Sequence, residues 1–229
     1  GFQSHNKKSN VVKSISFEIP KGKTVALVGE SGSGKTVTAL SILRLLPHPA
    51  AFHDCGEIIY NDFDLLKLKQ NEIQKIRGKN ISAIFQEPMT SLNPLHTIEK
   101  QVNEILMIHS SISYSEASKK TKELLDQVGL VNISKRIKAY PYELSGGQRQ
   151  RVMIAMSIAN NPDLLLADEP TTALDVTVQS QILNLIKNIQ KKMNMSILFI
   201  SHDLAVVKKI ADYVCIMKDG EIVEKNTKK

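Results

Sequence analysis

Residues 29–36 read GESGSGKT, and this stretch gives the strongest single indication of the fold. The short apolar run KTVALVG (23–29) leads into it, and TVTALSILRLL (36–46) follows with helical character and stops before Pro47. A strand, a glycine-rich loop and a helix in this order form the phosphate-binding loop of nucleotide-binding α/β proteins. We call residues 29–36 the phosphate loop.

The phosphate loop predicts a specific set of contacts. Backbone N–H groups of residues 31–36 would surround a β-phosphate, Lys35 would bridge β- and γ-oxygens, and the Thr36 hydroxyl would be a ligand for Mg²⁺. The predicted binding residues in this loop are Gly29, Ser31, Gly32, Ser33, Gly34, Lys35 and Thr36.

Composition sets the broad class. A chain of 229 residues that is 42% hydrophobic suits one large globular domain, or one domain with an inserted lobe. No apolar run approaches the roughly 18 residues that cross a bilayer, so we expect no membrane-spanning segment. The first residue is Gly rather than Met, which predicts an excised or processed segment. Cys55 and Cys215 lie far apart, which favours a reducing cytoplasm over a disulfide framework or a zinc site.

The net charge of +7 allows an anionic partner. The lysines are scattered, however, with short clusters such as those at 119–122, 191–192 and 228–229, and the chain has no tryptophan. This pattern favours a solvated lysine-rich surface over a dedicated nucleic-acid site.

Strand and helix patterns alternate at both ends of the chain. Predicted strands are VVKSISFEI (11–19), KTVALVG (23–29), GEIIYN (56–61), ISAIFQ (81–86), DLLLAD (163–168) and SILFIS (196–201). Helix 175–193 places an apolar face toward the core, and Asp219-Gly220 predicts a hairpin between DYVCIM and EIVE. The sequence therefore predicts an α/β core formed by residues 1–86 and 162–229.

The stretch 87–161 has a different character. Residues 97–109 and 116–129 are helical, and Ser113 lies three residues before Glu116, the spacing of a capping box. A third helix begins at Ser145. Because no strand pattern interrupts this stretch, we expect a helical subdomain inserted into the core.

Polar residues follow the apolar strands where a ligand would bind. Asp168 ends strand 163–168, where it could hold Mg²⁺ through water, and Glu169 could act as general base for an attacking water. The alternative is that the two acids cap the next turn. His202 and Gln86 also end strands. His202 could contact the γ-phosphate, and Gln86 could contact water or Mg²⁺. For both residues the alternative is an ordinary polar residue at a strand end.

A second anion-attracting tip lies at residues 144–151, LSGGQRQR, directly before the apolar run VMIAMSIA. Ser145 stands where a helix N-cap belongs, and Gly146 and Gly147 leave backbone N–H groups uncovered. Such a helix start attracts anions. We call residues 145–148 the signature tip.

The motifs of this chain come in a fixed order, which is the phosphate loop, Gln86, LSGGQ (144–148), LLLADE (164–169), TTALD (171–175) and His202. In this order they resemble the ATPase domains of ABC transporters over essentially the whole chain. The resemblance implies one ABC nucleotide-binding domain over 1–229, with ATP and Mg²⁺ as cofactors. Its implied fold is α/β, a P-loop NTPase with a RecA-like core, a mainly parallel sheet, an antiparallel β edge and an inserted helical subdomain.

The resemblance also implies how the second anion site is used. Two domains would pack head to tail, and each signature tip would close on the ATP held by the other domain. Ser145, Gly146 and Gly147 would contact the partner's γ-phosphate with Gln148 close by, and Asp175 would cross the interface.

Further roles follow from the same resemblance. Gln86 would sense Mg²⁺ and transmit to the membrane partner, and His202 would hold the γ-phosphate and the attacking water. An aromatic residue ahead of strand 11–19 normally stacks on adenine in this family, which makes Phe2 the candidate.

A narrower resemblance concerns FQEPMTSLNPLHTIEKQ (85–101), YPYELSGGQRQRVMIAM (140–156) and ADEPTTALDVTVQSQIL (167–183). These segments are similar to the oligopeptide, dipeptide and nickel importer ATPases. Residues 29–47 and 193–204 are most similar to Yej-type peptide importers, which take up microcin C. Their ATPase subunit resembles two fused domains, and this chain would be the N-terminal half.

The expected function is an ATP-hydrolysing motor of an importer, with peptides as the expected cargo, at the cytoplasmic face of the bacterial inner membrane. Expected partners are a second ABC ATPase domain (a fused half, a partner subunit or a second copy), transmembrane permease subunits contacted by 87–110 and, indirectly, a substrate-binding protein. No nucleic-acid partner is expected. The alternatives are a soluble ABC ATPase of repair or translation, whose coiled coils or zinc inserts are not seen here, and a non-catalytic nucleotide-binding module, disfavoured by Glu169 and His202.

Overall fold

The computed structural model describes residues 1–4, 7–85, 91–172 and 174–227, without the side chains of Ser4 and Lys7. The strands in chain order are β1 (Phe2–Ser4), β2 (Lys7–Ser9), β3 (Thr24–Val28), β4 (Ile59–Tyr60), β5 (Phe63–Asp64), β6 (Ile81–Ile84), β7 (Leu164–Asp168), β8 (Ser196–Ser201), β9 (Tyr213–Lys218) and β10 (Glu221–Thr227). The helices are α1 (Lys35–Ile42), α2 (Gln70–Ile76), α3 (Ile98–His109), α4 (Tyr114–Gln127), α5 (Val131–Ser134), α6 (Gly146–Ile158), α7 (Val176–Met193) and α8 (Leu204–Ile210). A turn of 3₁₀ helix spans Pro141–Glu143. Within the described ranges, no helix combines the length and apolar character that a bilayer crossing needs.

The chain divides into two compact units. The first unit comprises Gly1–Arg77 and Ser196–Lys229, and the second unit is Gly78–Met195. The second unit thus holds strands β6 and β7 and helix α7 together with the helices of the middle of the chain. The division predicted from the sequence has different boundaries. It places a core of 1–86 and 162–229 around a helical subdomain at 87–161, and it stays a prediction.

The first unit is built on β3, which pairs in parallel with β8 on one side and β9 on the other. Every residue of β3 is buried, as expected for a central parallel strand covered on both faces. Strands β9 and β10 form an antiparallel hairpin through Asp219 and Gly220, whose φ values of 48° and 81° suit a two-residue hairpin turn. The predicted parallel sheet, antiparallel edge and hairpin are confirmed.

The second unit combines a parallel pair, β6 and β7, with the helices α3–α7. Four of these helices begin at a residue whose side chain accepts a hydrogen bond from the backbone of the first turn, namely Thr97, Ser113, Ser145 and Asp175. The predicted capping box of Ser113 and Glu116 is present. On α7 the apolar face is buried through Ile182, Ile186 and Ile189, as predicted.

The predicted strand at 11–19 is wrong, because the structure assigns no strand to these residues. Their burial nevertheless alternates as the sequence does, with Ile15, Phe17 and Ile19 half-buried between exposed neighbours. Ser14 has a φ of 36°, which interrupts the extended backbone that a strand requires. Alternation thus predicted which side chains face inward, but not a hydrogen-bonded partner strand.

Helix α1 ends at Ile42 rather than at the predicted residue 46. Arg44 turns into the left-handed region with a φ of 50°, and its guanidinium donates to the carbonyls of Leu65 and Leu68. Arg77 donates to the carbonyl of Leu43 at 2.7 Å and so binds an acceptor at the helix end. These partners are distant in sequence, so helical periodicity alone did not reveal the stop.

Candidate nucleotide-binding site

The phosphate loop joins β3 to α1 as predicted. Gly34 is the N-cap of α1, with a φ of 101°, and it supplies no side-chain cap to this helix. The first turn also contains no acidic residue. A helix start of this kind presents backbone N–H groups and the positive end of the helix dipole, which together favour an anion.

Lys35 supplies the positive charge of this loop. Its ammonium donates to the carbonyl oxygens of Gly29 at 2.8 Å and Glu30 at 2.7 Å, and the residue is only 6% exposed. The side chain is therefore folded back over its own loop. The next residue, Thr36, is exposed, so its hydroxyl is accessible to a ligand.

His202 lies at the same end of the sheet as the phosphate loop. Val28, the last residue of β3, pairs with Ser201, the last residue of β8, and both strands run in the same direction. Gly29 and His202 therefore follow neighbouring strand ends, where ligands of parallel sheets bind. His202 is exposed there, and Asp203 accepts hydrogen bonds from the first backbone N–H groups of α8.

The two predicted carboxylates lie at the end of β7 in the second unit. Asp168 is only 2% exposed, whereas Glu169 is half-buried and has a φ of 47°. Left-handed backbone in a residue other than glycine is uncommon and is found often at functional sites. Thr172 donates its hydroxyl to Glu169 Oε2 at 3.0 Å, which fixes the orientation of this carboxylate.

Gln86 lies outside the described residues, so its predicted role is neither supported nor contradicted. Strand β6, which ends at Ile84, pairs in parallel with β7, with Ile84 opposite Ala167. The metal role predicted for Thr36, Gln86 and Asp168 involves a hydroxyl, an amide and a carboxylate. Among the described residues no group of three or more histidine, cysteine, aspartate or glutamate side chains could hold a metal ion.

The signature tip forms the start of α6. Ser145 Oγ accepts from the backbone N–H of Gln148 at 3.3 Å, and Gln148 Oε1 accepts from the N–H of Ser145 at 2.9 Å. This reciprocal pair is a capping box. Ser145 and Gly146 are exposed, and Gly147 and Gln148 are half-buried.

The structure brings the signature tip together with the start of α7. A Cβ atom built on Gly147 would lie 2.8 Å from Val178 Cγ1, and one on Gly146 would lie 3.9 Å from Leu174 Cδ2. Asp175, which is exposed, caps α7 by accepting from the N–H of Val178 at 2.9 Å. Four residues predicted to face a partner domain thus lie on one part of the second unit, namely Ser145, Gly146, Gly147 and Asp175.

Phe2 lies in β1, is half-buried, and forms an isolated antiparallel bridge with Ala51. Its predicted adenine contact stays a prediction.

Sequence reasoning missed a different neighbour of the phosphate loop, the hairpin turn at Asp219 and Gly220, whose backbone contacts Ser33. The Asp-Gly pair predicted the turn but did not show what the turn contacts.

A glycine-rich loop between a parallel strand and a helix, with a buried lysine at the helix start, defines a nucleotide-binding α/β domain of the P-loop class. The family model described as "ABC transporter" matches residues 12–172, and the chain belongs to the ABC transporter family. A dimeric structure of an ATP-binding cassette in a post-hydrolysis state, bound to ADP and Pi, superimposes with a TM-score of 0.82 at 30% identity. That alignment covers 96% of this chain and 91% of the cassette.

Curated relatives are similar over nearly the whole chain. The peptidoglycan transport ATP-binding protein YejF of Agrobacterium fabrum is 59% identical over 219 residues, which cover 96% of this chain and 40% of that protein. The oligopeptide transport ATP-binding protein OppD of Bacillus subtilis is 50% identical over 226 residues, covering 99% of this chain and 63% of the relative. The predicted resemblance to Yej-type and oligopeptide importer ATPases is confirmed, and the chain spans less than two thirds of both relatives.

Proposed function

We propose that this chain is the ATP-binding and ATP-hydrolysing domain of an ABC importer that carries peptides. The phosphate loop is the observation that carries this proposal, because a helix start without a side-chain cap combined with the buried ammonium of Lys35 suits a polyphosphate. The relatives named for oligopeptide and peptidoglycan transport support peptide-like cargo. The placement of the chain as the N-terminal half of a fused subunit is part of the same proposal.

The residues of the phosphate loop fit the triphosphate and Mg²⁺ of ATP. Phosphate oxygens are stronger acceptors for the Lys35 ammonium than the carbonyls of Gly29 and Glu30, so the side chain would exchange these partners on binding. The exposed Thr36 hydroxyl is a hard oxygen ligand of the kind Mg²⁺ prefers, with Gln86 and a water held by Asp168 as further ligands. Mg²⁺, when bound, neutralises charge on the phosphates. Phe2 would stack on the adenine.

Glu169 would accept the proton of the attacking water. The hydrogen bond from the Thr172 hydroxyl orients its carboxylate for this task. His202 would position the same water and contact the γ-phosphate. The exposed position of His202, at the strand end next to the phosphate loop, supports this role.

A second ATPase domain would complete the site. The signature tip would donate to the γ-phosphate bound by that partner, and Asp175 would contact the partner's phosphate loop. Two observations support this. The exposed signature tip and Asp175 lie together in the second unit, and the similar cassette of known structure is a dimer bound to ADP and Pi. The partner would be a fused domain, a separate subunit or a second copy.

The remaining partners follow from the importer proposal. Permease subunits would dock on the region 87–110, a substrate-binding protein would act through them, and the chain would lie peripherally on the cytoplasmic face of the inner membrane. Residues 97–109 form α3 with its Thr97 cap, so part of this region is a regular helix. The nucleic-acid alternative gains no support from the relatives, which are named as transport ATP-binding proteins.

Replacement of Lys35 by alanine tests the proposal. Because Lys35 carries the positive charge of the phosphate loop, we expect Lys35→Ala to weaken ATP binding about 100-fold or more in a fluorescence titration. The matched control is Lys21→Ala, a change of the same side chain at an exposed position of the same unit. Equal ATP affinity for the two variants would refute the site.

A further inference from the structure

The hairpin turn between β9 and β10 has no role in the predicted chemistry, yet it touches the phosphate loop. The backbone N–H of Gly220 donates to the carbonyl of Ser33 at 3.1 Å. On its other side, the carbonyl of Gly220 accepts from the N–H of Lys13 at 2.7 Å. Gly220 is buried although it lies in a turn. A single residue thus bridges the phosphate loop and the segment around residue 13.

Through the geometry of the peptide, the bond to the Ser33 carbonyl also fixes the direction of the Gly34 N–H. In a trans peptide the C=O of one residue and the N–H of the next point in opposite directions within one plane. The carbonyl of Ser33 is directed to Gly220, so the N–H of Gly34 is directed away from the hairpin turn. Gly34 is also the N-cap of α1 and one of the residues whose N–H groups are predicted to surround the phosphate.

Close packing limits how far the turn can move. A Cβ atom on Gly220 would lie 2.3 Å from Val11 O, and its φ of 81° is one that side chains rarely adopt. A Cβ atom on Gly34 would lie 3.1 Å from the same Val11 oxygen, and one on Gly29 would lie 2.1 Å from Met217 O. The backbones of the hairpin, the segment at Val11 and the phosphate loop therefore touch with no room for an added methyl group.

We propose that Gly220 is a positioning residue for nucleotide binding, because its N–H holds the Ser33 carbonyl and so turns the Gly34 N–H toward the phosphate. This inference rests on the proposed function and extends it to a residue outside the ATPase motifs. It makes the bond from Gly220 to Ser33 part of the phosphate site, although Gly220 itself touches no nucleotide.

The variant Gly220→Ala tests this directly. The added methyl group would displace Val11 and break the bond to Ser33, so we expect the dissociation constant for ADP to rise about tenfold or more. Competition by AMP, which lacks the β-phosphate, should change less than about threefold. The matched control is Gly56→Ala, because Gly56 has a φ of 95° in the same unit but no atom within 4 Å of an added Cβ. Gly56→Ala therefore introduces the same kind of backbone strain without a steric contact like that with Val11.

Each result of this titration decides the matter. ADP binding by Gly220→Ala as tight as that of Gly56→Ala, or equal losses for ADP and AMP, would overturn the inference and leave the proposed function intact. An unmodified chain that binds no ADP contradicts the proposed function and the inference together.

A measurement on the unmodified chain covers the case in which Gly220→Ala does not fold. If the bond from Gly220 to Ser33 prepares the site, ADP must stabilise that bond in return, because coupling between two equilibria is reciprocal. Amide hydrogen exchange at Gly220 should slow about tenfold at saturating ADP, while the amide of Leu65, bonded to Ile58 in the β4–β5 hairpin, should not change. Protection of residues 31–36 without protection of Gly220 would overturn the inference.

Discussion

The phosphate loop and the signature tip are both glycine-containing helix starts, but they differ in side-chain capping, charge and exposure. The start of α1 has no side-chain cap, and its first residue, Lys35, is a buried cation. The start of α6 is capped by its own Ser145 and Gln148, is largely exposed, and begins with two glycines instead of a cation.

Under the proposed function, this difference suits the two anion-attracting tips to separate tasks. The phosphate loop combines a helix start that has no side-chain cap with the positive charge of Lys35, so it is equipped to hold a polyphosphate alone. In the signature tip the capping box already satisfies two backbone N–H groups, those of Ser145 and Gln148, and the tip has no cation of its own. It is suited to complete a site that another domain has filled. The comparison predicts that changes in the phosphate loop alter binding, whereas changes in the second unit alter turnover.

The largest effect expected in the second unit is that of Glu169→Gln. The amide has the shape of the carboxylate and can still accept from Thr172, but it cannot take a proton from water. We expect the rate of phosphate release to fall about 10²- to 10⁴-fold, with ATP affinity in a titration unchanged within about threefold. Loss of ATP binding instead of turnover would contradict the separate roles of the two units.

The control for this variant is Glu57→Gln, the same chemical change at an exposed residue of the first unit. It should leave both the turnover rate and the ATP affinity at the level of the unmodified chain. A drop in turnover with Glu57→Gln would show that carboxylate loss acts on the whole domain rather than at Glu169.

A smaller effect is expected from Gln148→Glu. Glutamate closes a capping box as well as glutamine does, so the helix should keep its stability. A carboxylate at the signature tip would repel a γ-phosphate, however, and we expect turnover to fall about tenfold at unchanged ATP affinity of the isolated chain. Phosphate-release assays and nucleotide titration measure the two quantities separately.

The reciprocal change Glu116→Gln serves as the control, because α4 begins with the same box built from Ser113 and Glu116. This change should leave turnover unaffected, since α4 has no phosphate to bind. If Gln148→Glu hydrolyses ATP at the normal rate in an assembled dimer, the signature tip does not face a phosphate, and the partner-domain proposal fails.

Local signals in the sequence predicted local structure well. The box at Ser113, the cap at Ser145 and the start of the phosphate loop each depend on residues within three or four positions, and all three are confirmed. Such features need no knowledge of the rest of the chain, because the side chain that caps a helix lies next to the N–H group that it satisfies.

Two features that depend on distant partners were not predicted. The end of α1 is set by Arg44 bonding to Leu65 and Leu68, and the orientation of the Ser33 carbonyl is set by Gly220, about 190 residues away along the chain. The left-handed backbone at Glu169 was not predicted either, because apolar periodicity marks a strand but not the conformation of the residue after it.

The smallest expected effect is a difference between the two capping boxes in how their contribution to stability depends on pH. Hydrogen bonds from the backbone N–H and the hydroxyl of Ser113 lower the pKa of Glu116 below its ordinary value of 4.5, whereas Gln148 does not titrate. A carboxyl whose pKa is lower in the folded state stabilises the protein above its unfolded pKa, and this contribution is lost as the pH falls through the folded value. The urea midpoint should therefore decline less between pH 5 and pH 3 in Glu116→Gln than in the unmodified chain, while Gln148→Glu should add a decline of its own in that range. Identical pH profiles for all three proteins would mean that the box at Ser113 does not favour the ionised carboxylate in solution.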